Sequence, residues 1–202
     1  MSSLFVVDVP ENVDITTANS GTKTTYPAPP LGTQIRRLTV APAAGIVRGS
    51  LDGTRIAYFA NDANGKRQVW VIPSQGSEMA EDAAMRPVQA TNLANGASQG
   101  IRWHPSGNSI AVLSENGVVV VCVKPGPLFG KSMWLTAHGT GVASTEGLVW
   151  SRDGKLLAFN RRTPTYDATG ALVNDFGGND FRQIWLVAFP DEDGDGVADG
   201  LQ

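Results

Sequence analysis

The chain has 202 residues, of which 42% are hydrophobic, and a formal net charge of −3. Its Lys and Arg residues are scattered, which argues against a nucleic-acid partner, and no apolar run approaches the ~20 residues that span a bilayer. The start, MSSLFVVDVP, lacks the basic segment and long apolar run of a signal peptide. The lone Cys122 excludes an internal disulfide and is predicted to be a small buried core residue.

In chain order, the first predicted element is a strand in the short apolar run LFVVDVP, residues 4–10. A stretch rich in Thr, Gly and Pro follows, which is typical of a long surface connection between strands. Three similar segments then begin at Gly49, Trp103 and Trp150. The region from 77 to 86, SEMAEDAAMR, is the nearest approach to a helix, and we expect a surface excursion there.

Each of the three segments combines a polar tight turn with two short apolar runs. The turn glycines, Gly53, Gly107 and Gly154, recur after 54 and 47 residues, a period that suits a four-stranded propeller blade. Asp-Gly and Ser-Gly turns supply the positive φ that tight hairpins need. The predicted strands are 56–59, 69–72, 110–113, 118–123, 156–159 and 184–189. The fold class is therefore predicted to be all-β.

These segments carry a family resemblance. WHPSGNSIAV and WSRDGKLLAF are similar to the WD40-like repeats of TolB-type β-propellers, whose usual form is Ser-Pro-Asp-Gly-Lys followed by Ile-Ala-Phe. GSLDGTRIAY departs from that form at Leu51, where Pro is usual, and RRLTV and WLTAH resemble the Leu-Thr element that opens such repeats. LFVVDVP, GTQIRRLTVAP and VWVIP further resemble an uncharacterised bacterial family of TolB-like propellers related to oligogalacturonate lyases. The resemblance implies a propeller in a periplasmic or extracellular location.

About three blades are recognisable, plus the extra N-terminal strand, whereas closed propellers usually have at least four blades. One hypothesis is that the chain is part of a longer propeller, and we favour it. The other is that LFVVDVP pairs with the last sheet and closes a small propeller. Open blade faces would favour self-association. We expect two parts, a propeller segment over residues 1–190 and an acidic tail over residues 191–202.

The two histidines offer weak support for chemistry. His104 takes the place of the Ser that usually precedes Pro in the repeat, so a role in the turn is expected. His138 follows a Leu-Thr element and is a candidate ligand-binding residue. The related lyases are understood to use a histidine-rich metal site, and the similar family often has Arg-His-Trp before the repeat turn, where this chain keeps only Arg48. Two histidines in different repeats argue against lyase activity.

The third segment contains a long insertion, TPTYDATGALVNDFGGND, residues 163–180. Long insertions inside a hairpin are generally functional or disordered. Aromatic side chains mixed with carboxylates and carboxamides suit contact with carbohydrate or peptide, and arginines at the base could face an acidic ligand. The candidate ligand-binding residues here are Arg161, Arg162, Tyr166, Asp167, Asp175 and Phe176. A tolerated surface decoration is the alternative interpretation.

The tail DEDGDGVADG, residues 191–200, has oxygen ligands at the alternating positions of a calcium loop. It resembles thrombospondin type-3 and dockerin-type loops. The predicted ligands are Asp191, Asp193, Asp195, the carbonyl of Val197, and Asp199. Gln202 stands where such loops place a bidentate Glu, so any calcium affinity is expected to be weak. A solvated acidic turn is the alternative.

These observations favour a non-catalytic propeller scaffold that binds a protein or glycan partner in the bacterial cell envelope, with calcium as its one predicted cofactor. The alternative is part of a polysaccharide-active enzyme related to oligogalacturonate lyase. The repeat pattern is specific for the fold and poorly specific for function.

Overall fold

A computed structural model describes residues 2–14, 16, 18–142 and 147–201 of the chain. The strands are β1 (Phe5–Asp8), β2 (Gln34–Arg37), β3 (Ala44–Gly49), β4 (Arg55–Asn61), β5 (Arg67–Pro73), β6 (Val88–Gln89), β7 (Arg102–Trp103), β8 (Ser109–Ser114), β9 (Gly117–Cys122), β10 (Ser132–Trp134), β11 (Val149–Trp150), β12 (Leu156–Thr163), β13 (Thr165–Tyr166), β14 (Leu172–Val173) and β15 (Phe181–Ala188). Single 3-10 turns lie at Ala83–Met85, inside the predicted surface excursion, and at Asp199–Leu201. The all-β prediction is confirmed.

The strands form three blade-like antiparallel sheets. The first blade has the order β3-β4-β5-β6, the second blade β10-β9-β8-β7, and the third blade β11-β12-β15. Consecutive strands are neighbours in the first two blades, which is the meander that a propeller repeat produces, and in the third blade β12 pairs with β15 across the β13-β14 insertion. The hairpin β13-β14 stands apart from these sheets, inside the predicted insertion. The three sheets coincide with the three sequence repeats.

The N-terminal strand forms a hairpin of its own. β1 pairs antiparallel with β2, so that Phe5 lies opposite Arg37 and Asp8 opposite Gln34. The Arg36 side chain donates to both oxygens of Asp8, at 2.5 and 3.1 Å, and links the two strands. The closure hypothesis required LFVVDVP to pair with the third blade. The strand pairs with β2 instead.

The blade turns form for the reason that the sequence predicts. Gly53, Gly107 and Gly154 have φ values of 71°, 78° and 75°, a region that glycine enters without steric cost. In the first blade, Asp52 Oδ1 accepts hydrogen bonds from the Thr54 N–H at 3.0 Å and from the Ser50 hydroxyl at 2.5 Å. The Ser50 hydroxyl first, and then the N–H and the hydroxyl of Thr54, hold the pKa of the Asp52 carboxyl down at about 2.

The core lies between the blades, in two layers. One layer contains alternate residues of β9, including Val119 and Val121, packed against Phe59 of the first blade. The other contains the intervening residues of β9, including Val118 and Val120, packed against the third blade. All residues of β8 and β9 are buried, because a sheet between two others has no solvent face. Cys122 is buried there, as predicted.

Hydrogen bonds from indole groups repeat between neighbouring inner strands. Trp103 Nε1 donates to the Arg48 carbonyl at 2.9 Å, from the second blade to the first. Trp150 Nε1 donates to the Arg102 carbonyl at 3.2 Å, from the third blade to the second. Tryptophan occupies the same position in both repeats, four residues before the turn glycine. The same bond therefore sets the spacing of both blade pairs.

One face of the third blade is apolar and exposed. Val149, Ile184 and Leu186 retain 59%, 81% and 64% of their surface. The ladder places Leu186 and Val149 on either side of Ala158, so these side chains share one face. Among the described residues, none forms a helix with the length and apolar character needed to cross a bilayer.

We expect Trp103→Phe to lower the free energy of unfolding by about 1–3 kcal/mol, because it removes an inter-blade hydrogen bond and leaves a smaller ring in its place. Trp134→Phe is the matched control, since this indole lies at an exposed strand and retains 37% of its surface; its effect should stay within about 0.5 kcal/mol. Urea unfolding followed by far-UV circular dichroism measures both. Equal losses in the two variants would contradict a specific role for the indole bond.

Candidate functional site

The insertion in the third blade is an ordered double turn. Asp167 Oδ1 accepts from the N–H groups of Thr169 and Ala171 at 2.8 and 3.0 Å. Asp175 Oδ1 accepts in the same pattern from Gly177 and Asn179 at 2.9 and 3.0 Å. The sequence spacing, Asp followed three residues later by Gly, favours this loop because the carboxylate binds backbone N–H groups two and four residues on. Both candidate aspartates are therefore occupied as turn residues.

Arg162 anchors the insertion to β12. Its Nη1 lies 3.0 Å from Asp175 Oδ2 and donates to the Asp180 carbonyl at 2.6 Å. The backbone N–H of Asn179, and then the Arg162 guanidinium, hold the pKa of the Asp175 carboxyl well below its usual range. The order that this carboxylate gives therefore persists in mild acid and is lost only as the pH falls below the ordinary carboxyl range. Arg162 consequently acts as a structural residue of the insertion.

Arg161 lies on the opposite face of β12, since adjacent strand residues alternate. Its guanidinium carbon lies 4.8 Å from the ring centroid of Trp185 on β15. Arg161 Nε and Thr163 Oγ1, on the same face, are buried without a hydrogen-bond partner in the described part of the chain. The two arginines, adjacent in the sequence, therefore lie on opposite faces of β12. Arg162 pairs with Asp175, and Arg161 packs beside Trp185.

The aromatic candidates of the insertion face solvent. Phe176 is fully exposed at the tip of its turn, and Tyr166 retains 62% of its surface. Tyr166 pairs with Leu172 in the β13-β14 hairpin, and Leu172 is also exposed. Exposed aromatic side chains on a rigid loop are common in binding surfaces.

The two histidines do not converge. His138 is exposed beyond β10, and its ring lies 5.7 Å from that of Trp134 in an edge-on arrangement. His104 is buried between the second and third blades, with Nδ1 2.8 Å from Ser106 Oγ and Nε2 3.2 Å from the Gly154 carbonyl. Burial lowers the pKa of His104, which disfavours its charged form. His104 thus contacts its own turn, as expected, and in addition links the second blade to the third.

The acidic tail folds into a tight loop with converging carboxylates. Asp191, Asp193 and Asp195 each offer an oxygen, and these oxygens lie within 4.8 Å of one another. Asp191 Oδ2 accepts from the Gly196 N–H at 2.9 Å, and Asp195 Oδ1 from the Val197 N–H at 2.8 Å. Asp191 Oδ1 is buried and has no hydrogen-bond partner among the described residues. This group of three aspartates could hold a metal ion.

The other predicted ligands of the tail have different surroundings. Asp199 Oδ2 accepts from the Glu192 N–H at 2.9 Å and stands outside the group of three. Val197 is completely buried. Gln202 lies outside the described residues.

The tail packs on the second blade through contacts that the sequence did not predict. Asn108 Nδ2 donates to the Asp195 carbonyl at 2.8 Å, and the Ser109 hydroxyl to the Gly196 carbonyl at 2.6 Å. Lys124 Nζ lies 2.8 Å from Asp195 Oδ2, and this ammonium lowers the pKa of the Asp195 carboxyl. These partners lie 71 to 87 residues from the tail, and no local sequence pattern connects positions so far apart.

Comparisons with known proteins agree with this architecture. No family model matches the sequence. The uncharacterized protein YidR of Escherichia coli (strain K12) is 32% identical over 171 residues, which are 77% of this chain and 38% of YidR. The chain therefore spans well under half the length of the curated relative that it matches.

A solved structure from Agrobacterium tumefaciens assigned as TolB superposes with a TM-score of 0.50 at 22% identity, over 82% of this chain and 49% of that one. The tricorn protease aligns with a TM-score of 0.48 at 12% identity, over 79% of this chain and 14% of that one, and adds nothing to the conclusion. The chain is thus a β-propeller segment with a TolB-like fold. Its similarity in sequence is to the uncharacterised YidR.

We expect Asp175→Asn to loosen the insertion, because the Asn side chain can still accept the turn N–H groups but cannot pair with the Arg162 charge. Amide hydrogen exchange over residues 174–179 should become at least several-fold faster. Asp167→Asn is the control, since that turn has the same backbone bonds and no ion pair. Unchanged exchange in Asp175→Asn, or equal acceleration in both variants, would show that Arg162 does not anchor the loop.

Proposed function

We propose that this chain is a non-catalytic propeller scaffold that binds a protein or glycan partner through the third blade. The observation that carries the proposal is the Arg161 guanidinium, which lies 4.8 Å from the ring centroid of Trp185, a side chain that retains 39% of its surface. β12 and β15 are eight residues long, whereas β8 and β9 of the adjacent blade have six. The hairpin therefore extends beyond its neighbour and carries the insertion outward.

The chemistry of this surface suits a ligand with acceptor oxygens. A guanidinium offers several N–H donors in one plane, and an indole ring offers an apolar surface against which a sugar ring or a peptide side chain can pack. Tyr166 and Phe176 extend the surface along the insertion, and Asp167 and Asp175 shape it. His138, on a separate connection, stays a predicted ligand-binding residue without a contact to this surface among those described.

Location and assembly belong to the same proposal. A periplasmic or extracellular location is supported by the TolB-like fold alone. Self-association through the third blade is supported by its exposed apolar face, which includes Ile184 and Leu186. The division into a propeller segment, 1–190, and an acidic tail, 191–202, stays part of the proposal, with the tail docked on the blades through its buried residues 197 and 198.

The lyase alternative has no supporting observation. His104 is engaged between two blades, and His138 is exposed on a different connection. The two imidazoles do not share a site with the three aspartates. Residues of the chain thus do not assemble the histidine-rich centre that the related lyases are understood to use.

Arg161→Met tests the binding surface, because it keeps the length of the side chain and removes the guanidinium. We expect about tenfold weaker binding, since hydrogen bonds to charged groups contribute about 1.5–3 kcal/mol. The measurement is a glycan array, together with affinity capture from a bacterial envelope extract followed by quantified binding of the captured partner. Arg182→Met is the control, because Arg182 lies on β15 on the face away from Arg161. A partner whose affinity is the same for both variants would overturn the assignment.

We further propose that the tail holds Ca²⁺. Carboxylate oxygens at alternating positions of a tight turn are the hard ligands that this ion prefers. Asp191 Oδ1 is buried and has no hydrogen-bond partner among the described residues, which supports a cation at this position. Ca²⁺ binds oxygen at about 2.3–2.6 Å, closer than a water molecule approaches. Lys124 competes for the same group, because its ammonium pairs with Asp195. Carboxylates from Asp191, Asp193 and Asp195 would hold the ion and stabilise the packing of the tail.

Ca²⁺ is expected to raise the melting temperature of the parent chain, because an ion that binds only the folded state stabilises it. The double change Asp193→Asn and Asp195→Asn should abolish this rise. Lys124→Met, which removes the competing ammonium, should instead reach the same rise at a several-fold lower Ca²⁺ concentration. Differential scanning calorimetry with Mg²⁺ as the comparison ion measures each case. A parent chain whose melting temperature never responds to Ca²⁺ would exclude the site.

A further inference from the structure

A cavity of about 260 Å³ lies on the outward face of the first blade, away from the third blade and the tail. Tyr58 and Trp70 form its wall. They are direct partners in the β4-β5 ladder, so their side chains stand next to each other on one face of the sheet. Ala60 continues the same face, and Pro42 and Pro87 border the opening. The cavity is smaller than the roughly 300–1,000 Å³ of drug-sized sites and suits a ligand the size of one residue.

Two opposite charges line this apolar cavity. Glu78 Oε2 accepts from the N–H groups of Val40 and Ala41, the latter at 2.8 Å. The Glu78 N–H donates to the Leu38 carbonyl at 2.7 Å, so both its backbone and its carboxylate are held in place. In the described part of the chain, Glu78 Oε1 accepts no hydrogen bond. One carboxylate oxygen therefore remains to bind a donor.

Arg86 supplies the opposite charge. Its Nε donates to the Ala80 carbonyl at 2.6 Å and its Nη2 to the Glu81 carbonyl at 3.2 Å. These bonds hold the guanidinium without neutralising it, because carbonyl groups carry no net charge. Within the described residues, Arg86 and Glu78 form no ion pair with each other, although both line the cavity. A guanidinium and a carboxylate held apart in this way complement a ligand that carries both charges.

The two aromatic wall residues are largely covered, with Tyr58 buried and Trp70 half-buried. Burial raises the pKa of the Tyr58 phenol, and the Glu78 charge raises it further. Trp70 Nε1 is buried without a hydrogen-bond partner among the described residues.

We propose that this cavity binds a free α-amino acid with an apolar side chain. The ammonium group of the ligand pairs with Glu78, its carboxylate pairs with Arg86, and its side chain packs against Tyr58, Ala60 and Trp70. A neutral sugar would leave both charges without ionic partners, and a hydrocarbon would leave their remaining hydrogen-bonding atoms unpaired. The inference does not rest on the proposed function of the third blade.

Isothermal titration with L-phenylalanine and L-leucine tests the proposal. Two analogues of phenylalanine separate the charges: 2-phenylethylamine lacks the carboxylate, and 3-phenylpropionate lacks the ammonium. We expect L-phenylalanine to bind at least tenfold more tightly than either analogue. D-glucose is the neutral comparison and should give no saturable heat. No saturable heat with either amino acid, equal affinity for an analogue, or saturable binding of glucose would each overturn the proposal.

Variants assign the two charges. Glu78→Gln keeps an oxygen for the Val40 and Ala41 N–H groups and removes the charge, so the affinity for L-phenylalanine should fall about tenfold, to that of 3-phenylpropionate. Arg86→Met should lower it to that of 2-phenylethylamine, and Arg86→Lys should restore most of the difference. Glu81→Gln, on the exposed neighbouring loop, and Arg161→Met, on the third blade, should bind as the parent does. Calorimetric melts confirm that each variant is folded. Equal losses in Glu78→Gln and Glu81→Gln would refute the assigned role of Glu78.

Discussion

Burial of both faces of a β-sheet is the constraint on which the rest of this structure depends. β9 has no polar face, so each of its sides must be covered by another sheet. Val119 contributes to one inter-blade core and Val120 to the other, because successive strand residues point to opposite sides. The stack of blades follows from this alternation, and the repeated bonds from Trp103 and Trp150 to the preceding inner strand set its spacing.

The tail is part of the same stack. Gly196 approaches Ser106 so closely that an added Cβ would lie 1.9 Å from Ser106 Oγ, and a Cβ at Gly154 would lie 2.1 Å from His104 Nε2. Gly196 thus lets the tail, and Gly154 the turn of the third blade, lie close against the second blade, and a side chain at either position would force a shift. A cation held by the three aspartates would act on stability, because the carbonyls of the same loop accept hydrogen bonds from Asn108 and Ser109. Metal binding and packing of the tail are thus coupled through one short loop.

The two proposed binding surfaces differ in how they arise. On the third blade, a hairpin longer than its neighbour presents Arg161 and Trp185 beyond the core. On the first blade, the N-terminal hairpin packs against Tyr58, Ala60 and Ile72 and covers only part of the sheet face. The uncovered part forms the cavity with Glu78 and Arg86. On the first blade, backbone hydrogen bonds hold the Glu78 carboxylate and the Arg86 guanidinium in place, whereas on the third blade Arg161 is positioned by the Trp185 ring.

The sequence by itself determined the all-β class, the three repeats and the turn glycines, because each depends on residues close together in the chain. It also located the insertion and the acidic loop. Only the tertiary structure decided that Arg161 and Arg162 face opposite sides, that Asp175 serves a turn, and that Lys124 pairs with Asp195 across 71 residues. Which distant side chains meet depends on strand direction, on the stacking of the blades and on the path of the loops. The local spacing of residues in the sequence carries no information about these contacts.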